Sequence, residues 1–358
     1  MPYRSKSSLG LKSDRRPKRI TLALLADHLG LSPATVSLVM NRSPVADSIP
    51  AATQERIFAA ARELNYRPSF AARWARTARS FTIGVLVPEV SEGYAAHVLS
   101  GIEAHLLRQG YFYFVASHRH RDDLIDEYPR LLVARSVDGL IAVDTPWHGD
   151  LAIPVATVSG HNRANGITNV LLDHDRAAEL ALVHLKSLGH KRIAFIKGQE
   201  FSSDTAARWD SIVKVARGLG LEVAPKLTVQ LEGDLASPEL GYRVTKRLLE
   251  RGTRFTALFA FNDVSAIGAI EALRGVRLEV PRDVSVVGFD DIQSAAYHRP
   301  QLTTVRQPLK KMGMIAAEAL LRRIARPEDE DYPREVVIAP ELIVRQSTAA
   351  APAKQAVG

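Results

Sequence analysis

Apolar residues near the start of the chain fall at helical spacing. Leu22, Leu25, Ala26 and Leu29 recur on one face, and Gly30 stands where a helix would stop. Ser32 then offers an N-cap hydroxyl and Pro33 the preferred first helical position. Ala34, Val36, Val39 and Met40 continue a second short helix that ends near Asn41. A third is predicted in PAATQERIFAAARELNYRP, with Ile57, Ala60, Ala61 and Leu64 on one face. It starts at or close to Pro50 and is ended by Pro68. Two helices joined by a turn at Gly30–Leu31 make a helix-turn-helix, whose second helix would enter the major groove of DNA.

From Thr82 the period changes. Short β-rich runs, TIGVLVP (82–88), YFYFVAS (111–117), GLIAVD (139–144), RIAFIKG (192–198), TALFAFND (256–263) and VSVVGFDD (284–291), alternate with helical spacing. The helical stretches include 94–109, 175–188, 239–251, 264–274 and 309–325. Strands alternating with helices imply parallel sheets covered on both faces, and six such strands suit two doubly wound lobes. Ligands in such folds gather beyond the carboxyl ends of the strands. The residues there are Glu92, Tyr94, His118, Arg119, Ser202, Asp204, Arg208, Asn262, Asp263, Asp290 and Asp291. Short polar groups with one arginine and few aromatics suit a hydroxyl-rich ligand such as a sugar or sugar acid. Taken singly, Asn262–Asp263 and Asp290–Asp291 read as helix caps, and SHRHRDD (117–123) reads as a polar loop.

Charge sharpens the contrast between the two halves. The chain has 358 residues, 46% of them hydrophobic, and a net charge of +8. Residues 1–80 hold 14 basic and 5 acidic residues, and the remainder sums to −1. A basic, periodic helical head points to a polyanion, because each neutralised phosphate releases counterions. There is no cysteine, which excludes disulfides and thiolate metal sites and suits a cytoplasmic location. MPYRSKSSLGLK lacks the apolar core of a signal peptide, and no apolar stretch reaches membrane-spanning length. No GxGxxG follows the first strand, and neither GxxxxGK[ST] nor GxSxG occurs, so no enzyme, cofactor or metal site is expected. The alternative is a periplasmic-type sugar-binding protein without a DNA role. The basic head and the missing signal peptide argue against it.

The order of motifs resembles the lactose-repressor (LacI/GalR) family of bacterial regulators. It is carried by TLALLADHLGLSPATVSLVMN (21–41), ELNYRP (63–68), TIGVLVP, SLGHKRIAF (187–195), FND (261–263), DVSVVGFDD (283–291), LTTVRQP (302–308) and ELIVRQST (341–348). The resemblance covers residues 20–348. It implies a small all-α helix-turn-helix DNA-binding domain joined to a two-lobed α/β effector domain like that of periplasmic binding proteins. The expected divisions are a disordered basic tail (1–19), the head (20–66), a hinge (67–81), the effector and dimerisation domain (82–349) and a disordered tail (350–358). The N-lobe would hold 82–172 and 306–338, and the C-lobe 173–305 and 339–349.

The same resemblance implies a near-palindromic double-stranded operator, a homodimer with a tetramer possible, and a sugar-like effector. The family's base-reading positions are occupied by Pro33, Ala34 and Leu38, all apolar. They cannot form bidentate hydrogen bonds, although Ala34 can touch a thymine methyl. Thr35, Ser37 and Asn41 fall on phosphate-positioning positions, and Thr21, Ser32, Tyr66, Arg73 and Arg76 join the DNA-facing set. The loop NRSPVADSIP is longer than the family's commonest form. Effector positions carried over by motif are Tyr94, Asp204, Arg208, Asn262 and Asp290, with Ser202 beside them. Ser159 replaces the family's usual aspartate, with His161 two residues on. Ala95 and Leu235 stand where relatives that bind flat bases place aromatics, which argues against a purine. Trp209 is expected to pack rather than to stack on a ligand. In the hinge, Ala75 takes the place of the leucine that wedges into DNA, so a weaker DNA bend is expected.

Overall fold

The computed structural model describes residues 20–40, 44–66, 79–90, 93–146, 151–161, 166–233, 237–328 and 331–353. They form two compact units, Met1–Ser80 and Phe81–Gly358.

The first unit is helical. Helix α1 spans Leu22–Leu29, α2 Pro33–Met40 and α3 Ala51–Glu63. Thr21 caps α1 by accepting from Leu24 N, and Gly30 ends it in the left-handed conformation (φ 65°) that glycine adopts without penalty. Ser32 Oγ accepts from Thr35 N at 3.1 Å and caps α2. The core is thin: among the described residues, Leu25, Val36, Val39 and Ile57 are its only buried side chains larger than alanine. The long loop contributes to it directly. Pro44–Ser48 forms a 3-10 turn that buries Ala46, and Gln54 Nε2 pins the turn by donating to Ala46 O and Ile49 O, each at 2.9 Å. With so little apolar burial, these caps and pins carry a larger share of the stability.

The described residues of the second unit form twelve strands in two six-stranded sheets. In chain order they are β1 (Thr82–Val87), β2 (Phe112–Ser117), β3 (Gly139–Val143), β4 (Val155–Val158), β5 (Ile167–Leu172) and β6 (Ile193–Lys197). Then follow β7 (Thr228–Gln230), β8 (Ala257–Phe259), β9 (Ser285–Asp290), β10 (Thr303–Arg306), β11 (Glu335–Ile338) and β12 (Glu341–Ile343). One sheet is ordered β11-β5-β4-β3-β1-β2, the other β12-β10-β9-β8-β6-β7. All pairs are parallel except β10 with β12. The chain therefore completes five strands of one lobe before entering the other, then crosses twice more through β11 and β12.

Among the described residues, eight helices cover the sheets: α4 (Tyr94–Arg108), α5 (Asp122–Ala134), α6 (His174–Ser187), α7 (Ser203–Gly218), α8 (Pro238–Glu250), α9 (Asp263–Gly275), α10 (Gln293–Tyr297) and α11 (Leu309–Ala325). Helices α4 and α11 approach closely because each presents a glycine to the other. A Cβ at Gly101 would lie 1.9 Å from Lys310 O, and one at Gly313 2.1 Å from Val98 O.

Six strands are additional to the six long apolar runs. Strands β7, β10, β11 and β12 are three or four residues long, and β11 lies at a sheet edge with alternating exposure. Pairing with a neighbour, rather than hydrophobic periodicity, makes them strands. No single helix among the described residues is long and apolar enough to cross a membrane.

Candidate functional site

A cavity of ≈ 100 Å³ lies at the carboxyl ends of both sheets, within the second unit. The first lobe contributes Glu89, Tyr94, Ala95, His120 and Asp144, and the second Gln199, Phe201, Ser202, Asp204, Arg208, Phe261, Asn262 and Asp290. Small-molecule sites commonly enclose about 300–1,000 Å³. A monosaccharide-sized occupant therefore requires the lobes to part or wall side chains to swing.

Arg208 sits in the wall, in the second turn of α7. Its guanidinium is held between the rings of Phe261 (4.3 Å from the centroid) and Phe289 (3.8 Å). It donates to Phe261 O at 2.6 Å and to Asp204 Oδ2 at 3.1 Å. Its buried Nε has no hydrogen-bond partner among the described residues.

Asp204, one turn earlier on α7, also meets two imidazoles. His161 Nε2 lies 2.6 Å and His174 Nε2 3.2 Å from its Oδ1. Burial alone would push the Asp204 carboxyl up, but the two histidines and Arg208 outweigh it and hold it well below the usual range. Burial moves Asp290 the other way, to about 7, against the pull of Arg208 and a 2.6 Å hydrogen bond from Gln307.

Asp144 joins the lobes. It follows β3 in the first sheet, yet its Oδ1 accepts from Ser203 N (2.9 Å), Ser203 Oγ (2.6 Å) and Ser202 Oγ (3.2 Å) at the start of α7 in the second lobe. Burial and the neighbouring Asp204 charge raise its carboxyl to about 7. Ser203 Oγ also approaches Ser159 O, so its one proton is shared between that carbonyl and Asp144. Near the cavity rim His120 stacks on Phe201, with ring centroids 3.7 Å apart. His118 lies behind it, bonded to Thr145 and lowered to about 4 by burial.

Of the residues expected to meet an effector, Tyr94, Ser202, Asp204, Arg208, Asn262 and Asp290 share this wall. Ser159 does not: it is fully buried and accepts the Tyr94 hydroxyl at 2.7 Å, so it orients a wall residue from behind. Asn262 also works as a cap, sharing a capping box with Ser265. Asp263 is tied to Thr304 Oγ1 and Ile292 N, and Asp291 to Arg306 and Arg345, so both are committed to structure. Trp209 packs edge-on against Phe195. Leu235 and Glu92 lie outside the described residues. The expectation of few aromatics needs correction, since Phe201, Phe261 and His120 all line the cavity.

In the helical unit Pro33 and Ala34 are exposed, with Thr35 and Ser37 half-buried beside them. Thr35 Oγ1 pairs with Ser32 Oγ at 2.8 Å. Leu38 and Tyr66 pack against the head's core, so less of each is open to DNA than an exposed helix face would offer. Asn41, Arg73, Ala75 and Arg76 lie outside the described residues.

Residues 21–69 match the family model for bacterial regulatory proteins of the lacI family, and residues 182–348 that of a periplasmic binding protein-like domain. Over 338 residues the chain is 33% identical to the HTH-type transcriptional repressor PurR of Haemophilus influenzae, covering 91% of this chain and 98% of that protein. The chain belongs to the LacI family of bacterial regulatory proteins. Similar solved structures include the lac repressor bound to ONPG in its repressed state, with TM-score 0.80, 26% identity and coverage of 92% of this chain and 100% of that one. The CelR–cellobiose complex superposes with TM-score 0.68, 27% identity and coverage of 92% and 100%. A LacI-family regulator from Enterococcus faecium with bound ribose gives TM-score 0.66, 28% identity and coverage of 76% and 100%. This LacI-family chain is a DNA-binding transcriptional regulator with an effector-binding domain. The match of residues 21–69 sets aside the reading as a solute-binding protein without a DNA role.

Proposed function

We propose that the regulator is a cytoplasmic repressor, active as a homodimer on a near-palindromic operator, whose DNA affinity is set by a sugar-like effector in the interlobe cavity. The observation that carries the effector assignment is the buried Arg208 clamp. A guanidinium fixed between two rings, with one donor unmet, is preorganised to chelate a ring oxygen and a neighbouring hydroxyl. Ser202, Asn262 and Asp290 supply further short polar groups on the same wall. Four carboxyl groups there, Glu89, Asp144, Asp204 and Asp290, with Asp204 held ionised, favour a neutral polyol over a sugar acid. The aromatic rings do not form an open slot for a flat base, because Arg208 covers one face of Phe261 and His120 one face of Phe201. Cellobiose and ribose in the two similar regulators support the same class. A homodimer is supported by a similar lac repressor structure, which is a dimer bound to operator. Here Leu107, Phe112 and Phe114 leave an exposed apolar face for a second copy.

The effector would act through unequal affinity for two lobe arrangements, and so through the spacing of two heads. A thermal-shift screen of the full chain with sugars, sugar acids and phosphorylated sugars tests the class, because a specific ligand stabilises by mass action. A neutral sugar should raise the melting temperature, and Arg208→Ala should lose that rise while still retarding the operator. An unchanged dose response in Arg208→Ala overturns the cavity assignment. Stabilisation by sugar acids or phosphorylated sugars alone overturns the neutral-polyol reading.

A further inference from the structure

We propose that His161, His174 and Asp204 form a binding site for a late first-row divalent metal ion, such as Zn²⁺, at the junction of the two lobes. His161 follows β4 of the first sheet, whereas His174 opens α6 and Asp204 lies in the first turn of α7. Helices α6 and α7 pack on each other, and α6 also packs on β10 and β12 of the second sheet. The three side chains thus come from both lobes and from segments far apart in sequence. One nitrogen of each imidazole and one carboxylate oxygen all lie within 4.8 Å of one another. The side chains of His174 and Asp204 are 7% and 4% exposed, and that of His161 25%, so this is an enclosed cluster with one side reachable from solvent.

Two imidazoles and a carboxylate suit Zn²⁺, Co²⁺ or Ni²⁺, whereas Mg²⁺ and Ca²⁺ favour all-oxygen sites. Both imidazoles converge through Nε2 on a single Asp204 oxygen, which sets two ligating nitrogens beside one carboxylate oxygen. Metal bonds of about 2.0–2.1 Å set tetrahedral ligands about 3.3 Å apart. His174 and Asp204, at 3.2 Å, already have that separation. His161, 2.6 Å from Asp204, needs to withdraw by roughly 0.7 Å, a shift available to a residue in the loop after β4. Three protein ligands leave a fourth position for water or a ligand atom.

Because His161 belongs to one lobe and the other two ligands to the second, the ion would be held fully only when the lobes are together. Asp204 also lines the effector cavity, so metal and effector would be thermodynamically coupled. The metal site itself stands whatever the effector is.

The test uses the full chain, stripped with a chelator and titrated with Co²⁺ and then Zn²⁺. One equivalent of Co²⁺ per chain should bring up visible d–d absorption, which Zn²⁺ should displace while raising the melting temperature. His161→Gln and His174→Gln should each lose the band, and His97→Gln, at an exposed position on α4, should keep it. If the buried His174 variant fails to fold by circular dichroism, the more accessible His161→Gln decides alone. Absence of the band in the wild type, or a band of unchanged intensity in His161→Gln, overturns the proposal.

Discussion

As pH rises from 5 to 8, Asp144→Asn should gain stability relative to the wild type. In the wild type the carboxylate is taken out of water and placed near the charge of Asp204, while three donors at the start of α7 pull the other way. The opposing effects do not cancel: the group titrates at about 7 rather than 3.8. The native form therefore holds an extra proton over the window between those values. Stability from this group is complete below about pH 4 and is lost as pH rises through about 7, because the folded state binds more protons than the unfolded one. At about 1.4 kcal/mol per pKa unit, the full loss is about 4 kcal/mol, rather less than half of which has already gone by pH 5. Asparagine does not titrate, so the stability difference between the two proteins should widen by about 2–3 kcal/mol between pH 5 and pH 8.

The asparagine side chain keeps an oxygen to accept from Ser203 and places an amide nitrogen where Oδ2 was. If that nitrogen finds no acceptor it costs about 1–3 kcal/mol, but this offset is the same at every pH. Asp290 and Asp263, both raised by burial, occur in each protein and cancel in the comparison. Urea unfolding of the full chain at several pH values, followed by a signal from the second unit, reads the difference directly. Parallel profiles for the two proteins would refute the reasoning, as would a variant that loses ground as pH rises. Agreement would mean that folding takes up a proton at Asp144.

Gly101→Ala sets a Cβ 1.9 Å from Lys310 O, backbone that cannot move without parting α4 from α11. The expected cost is about 1–3 kcal/mol or more, read as a lower melting temperature of the second unit, and an unchanged melt would show that the helices have slack. Ser32→Ala removes the cap of α2 and should cost about 1 kcal/mol, lowering the melting point of so small a unit by about 4–8 °C. Faster amide exchange in the first turn of α2 would accompany it, and unchanged exchange at Thr35 N would count against the cap. From the resemblance of the hinge, Ala75→Leu should increase DNA bending in circular-permutation gel shifts. A strong bend in the wild type would defeat that expectation.

What the sequence disclosed follows from how far each interaction is encoded locally. Strand β1 is buried along its whole length and reads as an apolar run after Thr82, as does β9 between Ser285 and Asp290. Strand β10, with two threonines and an arginine among its four residues, becomes a strand only by lying between β9 and β12. The same distinction holds at the cavity. Asp290 and Asn262 follow long runs and could be picked out by inspecting strand ends. Asp144 ends the GLIAVD run in the same manner and could have been found by that rule, although no motif marked it. Phe201 and His174 carry no such signal: Phe201 lies just before α7 and stacks on His120 of the other lobe, and His174 opens α6 after a strand that is not one of the long apolar runs. Around the cavity the contacts that join the lobes are polar or stacked, Asp144 with Ser203, His161 with Asp204 and His120 with Phe201, while behind them one apolar core continues from the first sheet to the second. Polar contacts of this kind can be exchanged for water at modest cost, whereas an apolar seam cannot. The residues hardest to read from the sequence are thus those that let the lobes part and close, which is the movement a ligand-controlled regulator requires.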